Sequence, residues 1–390
     1  MLIALVPVAH LSAQADCDCK SDLNYLNRLI QKTPAYKART SAYTSAYNAA
    51  LAQASDKISL FNCFELINTV LLSLEDWHLT VIEASKDEVS EYQTPYPVYK
   101  GPLEDLEEEL RQKPESAIEG IYHIGGRLLY GLVFNAEQNR YLGVVLDSQT
   151  DLWSRGDVIL KLIPVSQSSF KLIGAQFPTK RLISYTERIN QGMFLRSGFR
   201  KDTSITYYNR TPYPKEQFLW KNIDPEIDYI KVGSFSSYYP LLGEAEAFYK
   251  HLEGQPNKPH LILDLRDNGG GGDRNSDLLY KVLKPYLRKN SLHVITNAST
   301  GSNAEQFVLK LKEFDRVRTY GDITRGALAY EIKPDDYHTL PSSQFTVVLT
   351  SRVYKKYLPF ETKGIAPDQL LDYERSWIDT VVRSIKIRTD

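Results

Sequence analysis

Cysteine is scarce in this chain of 390 residues, with three in all, Cys17, Cys19 and Cys63. Lacking paired C-x-x-C motifs and neighbouring histidines, they make a poor zinc site. An excess of one charge is missing too, since 47 Lys and Arg face 48 Asp and Glu for a net charge of -1. That balance gives no whole-chain field to attract polyanions, and no nucleic acid partner is expected. Beyond the first residues no apolar run is long enough to cross a bilayer as a helix. Seven histidines are present without any pair at metal-ligand spacing, so no metal or other cofactor is called for. There is no internal repeat or low-complexity tract.

What is present divides the chain into four parts. Residues 1–15 form a short apolar stretch ending in Ala13-Gln14-Ala15, the small residues a signal peptidase favours; the other reading is an apolar strand or helix. Residues 16–90 carry apolar positions at helical spacing, such as Leu23, Leu26 and Ile30, and then Phe64, Ile67 and Leu71. A small helical bundle, with helices running to about Ser85, is predicted. If the chain is exported, Cys17 or Cys19 can be tied to Cys63, leaving one thiol over. Residues 88–103 read as a linker, and an acidic helix starts at Leu103. Over residues 115–223 short aromatic and β-branched runs, Ser204–Tyr208 among them, alternate with turns at intervals of roughly ten, as in an antiparallel barrel or curled sheet. Residues 224–390 alternate strands with helices, which predicts an α/β domain.

The α/β part carries the chemistry. An apolar strand ends in Asp264-Leu265-Arg266-Asp267-Asn268 followed by four glycines, Gly269 to Gly272. Neither a Gly-Lys-Ser/Thr sequence nor the third glycine of a dinucleotide fingerprint is there, so nucleotide binding is not expected. Glycines at such a turn either make a tight bend before a helix starting near Asp277 or present bare N–H groups to a developing oxyanion. Ser302 stands at the start of the next amphipathic segment, with Glu305 three residues on. Ser-x-x-Glu is a capping box, yet a helix N-terminus also favours negative charge at a nucleophile. A serine needs a base. Of the histidines His78 has the suggestive setting, Asp76-Trp77-His78, expected at the end of the last N-terminal helix. His293 falls within a strand and is expected to pack there.

Taken together, these segments resemble the C-terminal processing peptidases, the tail-specific protease and tricorn-like serine peptidase family S41. The likeness rests on Asp264 to Gly271, on Thr300-Gly301-Ser302-Asn303-Ala304-Glu305, on Gly321-Asp322-Ile323-Thr324-Arg325-Gly326, and on Gly364-Ile365-Ala366-Pro367-Asp368. It covers residues 227–371, extends to the N-terminal helices through His78, and is poor over the β-rich middle. The resemblance implies a crotonase/ClpP-like α/β core, Ser302 as nucleophile, and an oxyanion hole from the N–H groups of Gly270 or Gly271 and of Asn303. Where the processing peptidases place a general-base lysine this chain has Ala327, so a Ser–Lys dyad is excluded. The Asp76-Trp77-His78 segment is similar to the tricorn and retinoid-binding-protein-like branch, which implies His78 as base and Glu361 as the group that orients it. Trp77 departs from the small or hydroxyl residue of that branch.

The expected protein is thus a periplasmic or secreted serine peptidase acting on a peptide or protein substrate. Two other readings stay open: a catalytically inactive peptidase fold that binds a ligand or peptide, and an esterase using the same serine. A His78–Ser302 separation far beyond about 6 Å would favour the inactive protein.

Overall fold

The computed structural model describes residues 16–84, 96–166 and 168–389. The apolar leader, residues 1–15, and residues 88–95 of the expected linker lie outside the described residues. Three helices open the described chain, Cys19–Ile30, Pro34–Gln53 and Leu60–Leu72. Asp18 caps the first by accepting the Ser21 N–H at 3.0 Å, and Leu23, Leu26 and Ile30 point inward with no exposed surface. Of the two cysteines open to pairing, Cys19 is bonded to Cys63 with a Cα–Cα distance of 5.4 Å. Cys17 remains a buried thiol 3.3 Å from Cys63 Sγ, and burial pushes it up to about 12.

The helices stop earlier than their apolar pattern predicts. The third ends at Leu72, and Thr80–Glu83 is a strand paired antiparallel with Phe345–Val348. Its β-branched run Thr80-Val81-Ile82 suits a pleated strand with alternate side chains buried better than a helix. His78 therefore sits in the loop between helix and strand, and the pairing fastens that loop to the C-terminal half of the chain.

Seven antiparallel strands follow, from Gly120–Ile124 to Met193–Phe194, and their order in the sheet is their order in the sequence. Backbone bridges from Arg200 to both His123 and Met193 join the two ends of the sheet, so it curls upon itself. Tyr122, Tyr130, Leu162 and Leu172 pack in one core with Phe61, Phe64 and Ile67 of the N-terminal helices. The run Ser204–Tyr208, expected as a strand, is irregular. Its backbone is held from outside: Tyr208 N–H donates to Tyr373 O at 2.7 Å, and Arg266 donates to Tyr208 O and Arg210 O at 2.8 and 2.9 Å. Arg266 is itself buried in an ion pair with Asp264 at 2.6 Å.

The C-terminal half holds a six-stranded sheet. Phe218–Asp224 and Ile227–Val232 form an antiparallel pair, after which His260–Asp264, Ser291–Thr296, Val317–Gly321 and Gln369–Leu370 add in parallel. Both faces of the parallel strands are buried, as helix-covered sheets require. Leu261 and Leu263 face one cluster with Leu279, Phe307 and Val308, while Ile262 and Ile295 face another with Tyr320 and Trp377. Helix Asp273–Tyr286 starts four residues before the expected Asp277. Because the strands are parallel, the loops after Asp264, Thr296 and Gly321 all leave the same edge, where open α/β sheets place their ligands.

Candidate active site

Ser302 lies on the loop after strand Ser291–Thr296 and immediately precedes helix Asn303–Leu311. Its φ of 55° and ψ of -126° are strained for a residue with a side chain. Backbone anchoring holds it there, since the Ser302 N–H lies 2.8 Å from Ala327 O and 2.9 Å from Glu305 Oε2. The contact with Glu305 is the glutamate half of the expected capping box. Ser302 Oγ makes no capping hydrogen bond; it sits 3.0 Å from His78 Nε2.

Glu305, with no exposed surface, gathers the surrounding loops. Beyond Ser302 its carboxylate accepts Thr324 Oγ1–H at 2.5 Å, Gly326 N–H at 2.7 Å and Ala327 N–H at 3.0 Å. Ala327, at the position where the resemblance implies a lysine in the processing peptidases, is buried and holds the Ser302 N–H on its carbonyl.

The glycine turn faces this serine. Asn268 accepts the Gly270 N–H on its side chain at 2.9 Å, donates to Val232 O at 3.1 Å, and receives the Gly301 N–H on its carbonyl at 3.0 Å. A Cβ at Gly270 would stand 2.7 Å from both Gly301 O and Ser302 Cβ, and one at Gly271 2.0 Å from the Phe235 carbonyl. Both glycines also have positive φ, 101° and 148°. Of the two oxyanion donors expected here, the Gly270 N–H is thus already spent on Asn268. The N–H groups of Gly271 and Asn303 make no hydrogen bond among the described residues, while the Asn303 side chain is fixed by Asp273 at 2.7 Å.

His78 arrives from the other side on its loop. Its ring is 9% exposed, and burial together with the nearby Arg325 cation brings its pKa down to about 4. The Asp76 carboxylate holds the loop by accepting the His78 N–H at 2.9 Å and the Thr350 hydroxyl at 2.6 Å. Asp76 Oδ1 also lies 3.9 Å from His78 Nδ1, an atom with no hydrogen-bond partner among the described residues. Glu361, the orienting group implied by the resemblance, is close by but bonded to backbone: Trp77 N–H at 3.1 Å, Leu328 N–H at 2.9 Å and Ala329 N–H at 2.7 Å. The two carboxyls and His78 have ligand-type atoms within 4.8 Å of one another. Burial, reinforced by Glu361, raises Asp76 to about 8; burial raises Glu361 to about 7.

His78, Ser302, Asn303 and the glycine turn border an open cleft of about 490 Å³ that also meets Ser237, Tyr238, Arg325 and Tyr330. Two residues at the site belong to the sequence motifs but carry no role expected from them. Asp76 stands two positions before the base, and Arg325 belongs to the Gly321–Gly326 turn. His293 is elsewhere, 3.2 Å from His260 in a cluster with Tyr320.

No family model matches the chain, and no curated protein matches it. Solved structures do. The tricorn protease is 13% identical with a TM-score of 0.49, over 94% of this chain and 36% of that one. Mature CPAF complexed with lactacystin is 12% identical with a TM-score of 0.46, over 95% and 97%. A putative S41 protease from Bacteroides fragilis NCTC 9343 is 10% identical with a TM-score of 0.44, over 94% and 98%. The solved structures it resembles include peptidases, one of them named a putative S41 protease, at low identity. The geometry around Ser302 and His78, rather than these likenesses, carries the functional assignment.

Proposed function

We propose that this chain is a serine peptidase of the S41 type, with Ser302 as nucleophile and His78 as general base. The observation that carries the reading is the 3.0 Å separation of His78 Nε2 and Ser302 Oγ, the distance proton transfer needs. A histidine kept neutral by burial is in the right state to accept that proton. His78 Nε2 takes the proton as Ser302 Oγ attacks the peptide carbonyl, and then returns it to the departing amine. The N–H groups of Gly271 and Asn303 are the free donors beside the serine and serve as the oxyanion hole.

Asp76 is the nearer carboxyl to His78 Nδ1, and a small ring movement closes 3.9 Å to a hydrogen bond. Asp76 therefore orients the base, with Glu361 fixing the backbone on either side of it. The parallel sheet and its helices serve as the crotonase-like core of the resemblance. We also propose export to the periplasm or outside the cell, which the leader-like residues 1–15 and the Cys19–Cys63 disulfide support.

Turnover of a mixed peptide panel, with matched esters beside it, tests the activity. Peptide cleavage that disappears in Ser302→Ala is the expected result. Cleavage of esters alone would make the protein an esterase, and no turnover of either would return the inactive binder.

A further inference from the structure

The cleft contains a cation that takes no part in the proton transfer between His78 and Ser302. Arg325 lies against the backbone of both loops that form the site, so close that a Cβ on Gly301 would stand 2.7 Å from its guanidinium carbon and one on Gly269 3.3 Å from Nη2. Its side chain makes one hydrogen bond, from Nη2 to Ser299 O at 3.3 Å. Nε is buried without a partner, and no carboxylate lies within ion-pair distance among the described residues. Burial brings the group down to about 10, which leaves it charged at neutral pH.

Its surroundings make that charge harder to account for structurally. Arg188, Arg196 and Arg210 converge on the same junction between the curled sheet and the α/β half. Arg210 is matched by Asp267 at 2.6 Å and Arg188 approaches Asp322 at 3.7 Å. Glu187 accepts the backbone N–H of Arg196 at 2.8 Å, and its charge favours that guanidinium. Arg196 in turn disfavours the charge on Arg325. Lys171, buried on the adjoining strand, is lowered to about 8 by burial and by Arg196. The partly buried guanidinium feels the Glu305 carboxylate only from beyond ion-pair distance, so no anion touches it among the described residues, and a ligand carboxylate would supply that contact.

The structure assigns Arg325 as the specificity residue of this cleft: it receives a substrate carboxylate next to the bond that Ser302 attacks. The carboxylate comes from an acidic side chain or from the peptide's own C-terminus. Either presents two oxygens to the guanidinium fork. The assignment rests on the serine-peptidase reading of the same site and adds its substrate class.

The test uses quenched fluorescent peptides that carry Glu or Gln on either side of the scissile bond, with free or amidated C-termini one residue beyond it. They are assayed with the wild-type protein, Arg325→Lys and Arg325→Gln. The wild-type protein is expected to favour the carboxylate peptide over its amide by about tenfold to a hundredfold in kcat/KM, the usual worth of a charged hydrogen bond. That ratio falls towards one in Arg325→Gln and is partly kept in Arg325→Lys. A Glu-over-Gln preference identifies the side chain as source, and an acid-over-amide preference identifies the C-terminus. Equal rates for acid and amide peptides in the wild-type protein overturn the assignment without need of a variant. An unchanged ratio in Arg325→Gln overturns it as well. Calorimetric binding of the same acid and amide peptides to Ser302→Ala separates the two claims: acid-selective binding to the variant, where the wild-type protein turns over none of the peptides, keeps the Arg325 site while the peptidase reading falls.

Discussion

His78 Nε2 and Ser302 Oγ meet at 3.0 Å although 224 positions separate them in the chain. Two long-range links bring them together. Strand Thr80–Glu83 pairs with Phe345–Val348 just after the histidine, and the Asp76–Thr350 hydrogen bond fixes its loop just before. His78 is therefore delivered to Ser302 by tertiary pairing rather than by the N-terminal helices themselves.

On the proposed mechanism the burial of His78 sets the pH range of the activity. With its pKa near 4, His78 is the free base at neutrality and is protonated only as pH falls through about 4. On peptides without titrating side chains, kcat/KM is expected to stay level down to about pH 5 and to drop roughly tenfold per unit below the pKa. Arg325→Gln removes a cation that opposes protonation, so its acid limb moves to higher pH. A wild-type limb centred on the ordinary histidine value near 6.5 would show that the ring is solvated in the working enzyme.

Stability should respond to pH through the buried carboxyls. Asp76 and Glu361 have folded pKa values raised to about 8 and about 7 from 3.8 and 4.5. The stability they contribute is complete below the unfolded values and is lost as pH rises through the folded ones. His78 acts oppositely, its share being present above 6.5 and lost as pH falls through about 4. The carboxyls therefore lower thermal stability as pH rises from about 4 to about 8, His78 opposing them up to 6.5, so that the fall above 6.5 belongs to the carboxyls alone. Asp76→Asn is expected to flatten that slope in melting curves, and an unaltered slope would place the titration elsewhere.

The glycines of the turn should differ sharply in tolerance. Gly271→Ala puts a methyl 2.0 Å from the Phe235 carbonyl, with a cost of roughly 3 kcal/mol or more and loss of activity. Gly269→Ala meets the movable end of Arg325 at 3.3 Å and should stay within about 1 kcal/mol of the wild-type protein. Denaturant unfolding of the two variants makes the comparison.

Glu305→Gln tests the anchoring of Ser302. Each carboxylate oxygen accepts two donors, Oε1 from Thr324 and Gly326, Oε2 from Ser302 and Ala327. An amide nitrogen in either place faces a backbone N–H. The expected loss is about 2–3 kcal/mol in unfolding free energy, with turnover falling together with stability.

Much of the site could be read from residue types and spacing, because its parts are local. The four glycines, the Ser302–Glu305 segment and the Thr324–Gly326 turn each follow a strand of the parallel sheet, and parallel strands deliver their loops to one edge. Local patterns served less well where distant partners decide conformation. Thr80–Glu83 becomes a strand through Phe345–Val348, and Ser204–Tyr208 loses its strand because Arg266 and Tyr373 take its backbone groups. The choice between Cys17 and Cys19 is likewise a matter of three-dimensional position. Spacing could not show that Asn268 occupies the Gly270 N–H, nor that Glu361 spends its oxygens on backbone while Asp76 stands nearer the base. The cue for Asp76 was its place two residues before His78; Arg325 gave only an arginine in a glycine turn.

Reaction with an active-site-directed fluorophosphonate, followed by intact mass and peptide mapping, tests the central claim most directly. One phosphonyl group per chain on Ser302 is predicted, absent in Ser302→Ala and slowed by about a hundredfold or more in His78→Ala, since the base contributes about that much or more. A label on another residue, or one that persists unchanged in Ser302→Ala, would contradict the assignment of Ser302 as nucleophile.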